Sequence, residues 1–195
     1  MKHLIMSCVT VVLIGACAST PQEPASSGRW DEEAIKAVCE TLIDSALTSP
    51  NINQFINEYI QKNDGKKPTV IVGSFKNDTS EHINTEMISS KMETAILNSG
   101  RLEFVAGGDL REELRAERQD QQYNASEDSA AGLGKEEGAV FMLNGAVRSE
   151  VTRSGATTRS FYVVTAVLTN IEDNKKVWQD ESEIQRTATQ ARNKF

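Results

Sequence analysis

The chain has 195 residues, with 28 Asp and Glu against 21 Lys and Arg, a formal charge of −7, and 38% hydrophobic residues. That length suffices for one domain with its own core. The acidic balance excludes nucleic acid as an expected partner, because phosphate binding needs clustered Lys and Arg.

The first residues read as an export segment: Lys2 supplies the positive end, and Leu4 to Ile14 an apolar run. A membrane-spanning helix needs about 20 apolar residues, so residues 1–16 read as a cleaved signal peptide rather than an anchor. Ile14, Gly15 and Ala16 lead directly into Cys17. This looks like the bacterial lipoprotein box, in which the cysteine sulfur receives a diacylglyceryl group and the new N-terminus a further acyl chain such as palmitate. Cys17 is therefore the expected lipidation site. Cys8 also follows small and apolar residues, but almost no apolar segment precedes it. Ala18 stands where Asp often marks inner-membrane retention, so the expected location is the outer membrane, lipid-anchored and facing the periplasm. Removing residues 1–16 takes away one Lys and leaves 20 cations against 28 anions, a charge of −8.

With Cys17 acylated, only Cys39 remains, and it can form no internal disulfide. It falls in a helical apolar stripe and reads as a small buried hydrophobe. Residues 17–29 carry the lipidated end and a Pro-rich, small-polar tether that cannot bury enough apolar surface to fold. Fully stretched, that tether reaches about 45 Å.

From Asp31 to about Leu47, the positions Ile35, Val38, Cys39, Leu42, Ile43 and Ala46 fall on one helix face behind an acidic first turn. Ser49 and Pro50 open a second helix as cap and first residue, with Ile52, Phe55, Ile56, Tyr59 and Ile60 at helical spacing up to Asn63-Asp64-Gly65. Pro68 to Ser74 is a β-branched run that predicts a buried strand, followed by a polar loop from Phe75 to His82. Asn84 or Thr85 starts a helix with Ile88, Met92, Ala95 and Ile96 on one face, and Gly100 stands where a left-handed cap is wanted. Arg101 to Ala106 reads as the next strand. Asp109 and Glu112 form a capping-box pattern ahead of a charged surface helix to about Gln122. A small-residue helix is expected from Glu127 to Glu137, closed by Gly138. Ala139 to Val151, Thr157 to Ile171 and Lys175 to Ile184 read as three strands. The turn signals Ser154-Gly155 and Glu172-Asp173-Asn174 join them into an antiparallel meander.

The fold class is therefore α/β: a single domain with a mixed sheet of about five strands, a C-terminal antiparallel meander, helices packed on the sheet and an N-terminal helical pair. The globular domain is expected over residues 30–186, with a charged tail over 187–195.

After signal removal one histidine remains, His82, so no Ser-His-Asp, Cys-His or zinc-ligand group can be assembled from the usual residue types, and no metal or other cofactor is expected. Neither phosphate-cradling glycine motif is present, so no nucleotide is expected either. Paired carboxylates are the one enzymatic option left, as in sugar-cleaving hydrolases, but none sits in an apolar stretch that would raise its pKa. The expectation is a protein that is not an enzyme.

The stretch Val70-Ile-Val-Gly-Ser-Phe-Lys-Asn-Asp-Thr-Ser-Glu-His-Ile-Asn-Thr resembles the opening of the LpoB family of outer-membrane lipoproteins. Ala95-Ile-Leu-Asn-Ser-Gly-Arg-Leu-Glu-Phe-Val, Gly138-Ala-Val-Phe-Met-Leu-Asn-Gly and Val177-Trp178 follow in matching order, so the resemblance covers about residues 30–186. It implies a non-catalytic periplasmic domain that binds a class A penicillin-binding protein, a bifunctional peptidoglycan synthase, and raises its activity. The best-known members carry a long Pro-rich tether, whereas here the tether is residues 18–29.

Within this reading the loop Phe75 to His82 is the expected recognition element, with Asn77, Thr79, Glu81 and His82 as partner-binding candidates. An equally open reading has Asn77, Asp78 and Thr79 making turn bonds and capping the next helix. Two other functions stay open: an assembly subunit similar to the curli-secretion lipoproteins, which needs long amphipathic segments for barrel strands, and a carboxylate-dependent cell-wall hydrolase.

Overall fold

A computed structural model describes residues 32–189. The expected signal peptide, Cys17 and the tether lie outside the described residues.

Two helices come first, α1 (Glu32–Thr48) and α2 (Pro50–Lys62). The buried set of α1 is Ile35, Val38, Cys39, Leu42, Ile43 and Ala46, the six positions its periodicity predicts. Ser49 stands at the start of α2 but its side chain makes no capping bond, so Pro50 alone supplies the expected entry signal. The chain then enters strand β1 (Thr69–Asp78), helix α3 (Thr85–Ser99), strand β2 (Glu103–Phe104) and helix α4 (Gly108–Asn124). Three long strands close it: β3 (Phe141–Ser154), β4 (Thr157–Asn170) and β5 (Lys176–Thr189). The five strands form one sheet in the order β2-β1-β3-β4-β5, parallel from β2 to β3 and antiparallel from β3 to β5. The expected mixed α/β sheet with its meander and N-terminal helical pair is what forms.

α3 starts and stops as its sequence predicts. The Asn84 side chain accepts the Met87 amide at 3.1 Å, and Gly100 takes a left-handed φ of 61° at the other end. The α4 start differs from expectation: Gly107 is the cap residue and Asp109 already lies inside the first turn, so no capping box forms. Space decides this. A Cβ at Gly107 would sit 2.5 Å from the Ile71 side chain, and Gly108 adopts φ 53°.

Four other expectations are corrected. Strand two shrinks from Arg101–Ala106 to Glu103 and Phe104, because only the amides of Glu103 and Val105 reach β1 carbonyls or their neighbours, at 3.1 Å each. The small-residue helix at 127–137 does not form. Ser126 closes a local turn on Ser129 and Ala130, Gly134 turns with φ 71°, and Leu133 is exposed, so the segment has no apolar face to pack. Finally, β1 runs to Asp78, taking in Phe75, Lys76, Asn77 and Asp78, which the sequence assigns to a loop. β5 likewise continues past Ile184 to Thr189, through the first residues of the expected tail.

The cause at β1 is a bulge: Val72 pairs with Leu143, but Phe75, three residues on, pairs with Gly145, two residues on. The extra residue flips the side-chain parity and returns the Phe75 ring to the face that Val70 occupies. Gly145 makes room for it, since a Cβ there would lie 2.5 Å from that ring and 2.1 Å from the Thr165 carbonyl oxygen.

The core sits on one face of the sheet. Val70, Phe75, Phe141, Leu143, Val147, Tyr162, Val164, Ala166, Leu168 and Trp178 meet the buried stripes of α1, α2 and α3 in one cluster. Phe55 of α2 lies against Phe141 with ring centroids 4.7 Å apart. Cys39 is buried there, its thiol donating weakly to the Ile88 carbonyl and its pKa pushed up by burial to about 12, which makes it the inert hydrophobe expected. α4 contributes no buried residue and is tied down at its surface, where Arg115 and Arg118 both bind Glu136, at 3.0 and 2.5 Å.

Candidate functional site

The candidate loop hangs from the end of β1 and crosses the core side of the sheet before α3. Its backbone order comes from side chains. Asn77 at the strand end accepts the Thr79 amide at 3.1 Å and the Thr79 hydroxyl at 2.7 Å, and donates from Nδ2 to the Glu81 carbonyl at 2.8 Å. The Thr79 hydroxyl in turn accepts the Glu81 amide at 3.1 Å. An Asn side chain two residues ahead of an amide mimics a backbone turn, so this network is a self-bonded Asx turn. Ile83 then drops into the core, and Asn84 caps α3.

The structure thus brings Asn77, Thr79 and Glu81 together in one network and leaves His82 exposed beside it. The turn-forming reading holds for Asn77 and Thr79. For Asp78 it does not: that side chain lies 4.0 Å from Arg148, on the other face of the sheet.

One anchor is invisible from local sequence. The hydroxyl of Tyr162, fully buried in β4, donates to Glu81 Oε1 at 2.6 Å, across 81 positions of chain. Burial raises the Tyr162 pKa, the Glu81 carboxylate raises it further, and the nearby Arg186 charge works in the opposite direction. Arg186 is buried as well and shares the sheet face of Tyr162, since Ser160 and Arg186 are paired and Tyr162 is two positions on. A carboxylate accepting from the phenol satisfies a hydroxyl that would be costly to bury alone. Sequence reasoning named Glu81 and missed Tyr162 and Arg186. The available signal was a Tyr alternating with Val164, Ala166 and Leu168, a buried hydroxyl in need of a partner.

The arrangement presents polar groups and holds them still. No cluster of three or more metal-ligating side chains occurs among the described residues. One carboxylate departs from expectation: burial raises the pKa of Glu93 on α3 from its ordinary value.

The model of the peptidoglycan-synthase activator LpoB matches residues 34–184. No curated protein matches in sequence. Similar solved structures include the LpoB C-terminal domain from Escherichia coli, at 15% identity over 77% of this chain and 97% of that one, with a TM-score of 0.44. The LpoB C-terminal domain from Salmonella enterica is 14% identical over 78% and 98%, TM-score 0.40. Lipoprotein GNA1162 from Neisseria meningitidis is 16% identical over 65% and 88%, TM-score 0.41.

Proposed function

This chain belongs to the peptidoglycan-synthase activator LpoB family, and from that premise we propose that it binds a class A penicillin-binding protein and raises its activity without catalysis of its own. It does so from the outer membrane, anchored through an acylated Cys17 and facing the periplasm. The observation that carries the reading is the family match, which runs across the whole of α1 to β5 apart from their outermost residues.

Within that frame the loop after β1 is the contact element. Asn77 and Thr79 fold it, Glu81 fastens it to Tyr162, and His82 stands exposed at its surface. A loop that is ordered before binding loses little conformational entropy on docking. Two residues separate contact from scaffolding: His82→Ala removes only an exposed side chain, whereas Glu81→Ala also removes the anchor to Tyr162.

Pull-down of class A synthases by the purified chain tests this. The unmutated protein recovers a synthase, His82→Ala recovers less, and Glu81→Ala recovers least. No synthase on the unmutated chain ends the reading. For the anchor, Cys17→Ser should move the protein from the membrane to the aqueous fraction of an envelope preparation; unchanged partition would remove Cys17 from the account.

A further inference from the structure

Among the described residues, no helix packs its buried face on the second face of the sheet. It carries Ser74 and Lys76 of β1, Ala146 and Arg148 of β3, Val163, Thr165 and Val167 of β4 and Lys176 of β5, as the strand registers dictate. Small side chains make a floor there: Ala146 and Thr165 are buried at 9% and 6% exposure although no core lies against them. Longer side chains rise around that floor and enclose a groove of about 400 Å³.

We propose that this groove binds an acidic, extended peptide segment of a partner protein. Charge is the first reason. The groove is lined by Lys76, Arg148 and Lys176 and by no Asp or Glu at all, in a chain whose formal charge is −7. Three exposed cations drawn from three strands rim this shallow site, where they favour carboxylates and a guanidinium can grip one in two-point fashion. Two carboxylates stand near them: Glu181, which accepts the Thr165 hydroxyl at 2.9 Å from the β5 side, and Asp78, 4.0 Å from Arg148 with both side chains more than half exposed, a pair weak enough for a ligand to displace. Shape is the second reason. Lys76 on β1 and Lys176 on β5 are three strand spacings apart and four residues offset along the strands, since Lys76 lines up with Thr165 through Ala146 while Lys176 pairs with Thr169; the diagonal is roughly 19 Å, a span that about six residues of extended chain cover. An α-helix, about 10 Å across with its side chains, is too thick for a groove of this volume. Asn144, also in the lining, offers an amide that can both donate to and accept from a peptide backbone.

The groove lies on the face opposite the Glu81–Tyr162 anchor, so it is a second surface, independent of the loop. Fluorescence anisotropy of the full purified chain with labelled hexaglutamate and hexaglutamine peptides tests it. Hexaglutamate should bind, weaken as salt rises, and outcompete hexaglutamine. Arg148→Glu and, as a second variant at an exposed strand end, Lys176→Glu should each weaken it about tenfold or more. Arg153→Glu, the same charge change outside the groove, should leave it unchanged. Far-ultraviolet circular dichroism confirms that each variant is folded. No hexaglutamate binding, equal binding of both peptides, or an equal response to Arg148→Glu and Arg153→Glu would overturn the proposal, as would tighter binding of purified muropeptides than of hexaglutamate. The readout contains no synthase, so its failure and that of synthase activation are distinct results.

Discussion

The two faces of this sheet are built from the same strands and meet opposite surroundings. On one, Tyr162, Val164, Ala166 and Leu168 are buried under α1, α2 and α3; on the other, Phe161, Val163 and Val167 of the same strand keep contact with solvent. Alternation of period two is enough to separate a covered face from an open one, provided that register is kept. The bulge at Gly73-Ser74 keeps it, by returning Phe75 to the core and leaving Ser74 and Lys76 outside.

The largest break in that contrast is truncation on the covered face. Phe141→Ala removes a fully buried ring packed on Phe55 and should cost about 3–5 kcal/mol, against less than about 1 kcal/mol for Val163→Ala on the open face, read from urea unfolding midpoints. Similar losses would mean that the open face carries core too. Gly145→Ala comes next. The added methyl meets both the Thr165 carbonyl and the Phe75 ring, and should cost about 1–3 kcal/mol by overpacking. A neutral result would show that the strand approach is looser than its geometry.

Removing one hydroxyl is a gentler probe. Tyr162→Phe keeps the ring and deletes the bond to Glu81, for about 1.5–3 kcal/mol given the charged acceptor. Amide exchange should quicken in the loop from Thr79 to Ile83 before it does in β4. Uniform quickening would mean that Tyr162 supports the sheet and not the loop.

The smallest effect concerns the surface. Arg115 and Arg118 hold the Glu136 carboxyl at about 2, below its ordinary 4.5. A depressed carboxylate pKa contributes stability that is present above the ordinary value and lost as pH falls through the depressed one. The contribution is therefore complete above pH 4.5 and gone near pH 2. Because the pair is exposed, the effect is local: protection of the segment between α4 and β3 should fall across that window, and Glu136→Gln should abolish the dependence. A wild-type profile flat with pH would remove the clamp.

Which parts were legible follows from the range of the interactions. α1 was readable to the residue at its buried stripe, and α3 at Ile88, Met92 and Ile96 with Ala95 only half-buried, because i, i+3 and i, i+4 spacing is local and Gly100 marks its own cap. The meander was readable because Gly155 and Asn174 both take the positive φ that their turn signals imply. What failed depended on distant neighbours. Phe75 to Asp78 looked like loop because a bulge hides the alternation, and only β3 reveals it. Gly107 displaced the capping box because of Ile71, thirty-six positions earlier. Of the candidate site, Asn77 and Thr79 were legible as turn formers, while the Tyr162 anchor and the convergence of Lys76, Arg148 and Lys176 required the folded sheet. Charge told the whole chain's sign but not where the minority cations gather.

The proposed action of this domain is direct contact with a peptidoglycan synthase. The most direct measurement is the glycan polymerisation rate of a purified class A synthase with and without the purified chain. The rate should rise on addition and rise less with His82→Ala; a rate indifferent to the chain would overturn the proposed function.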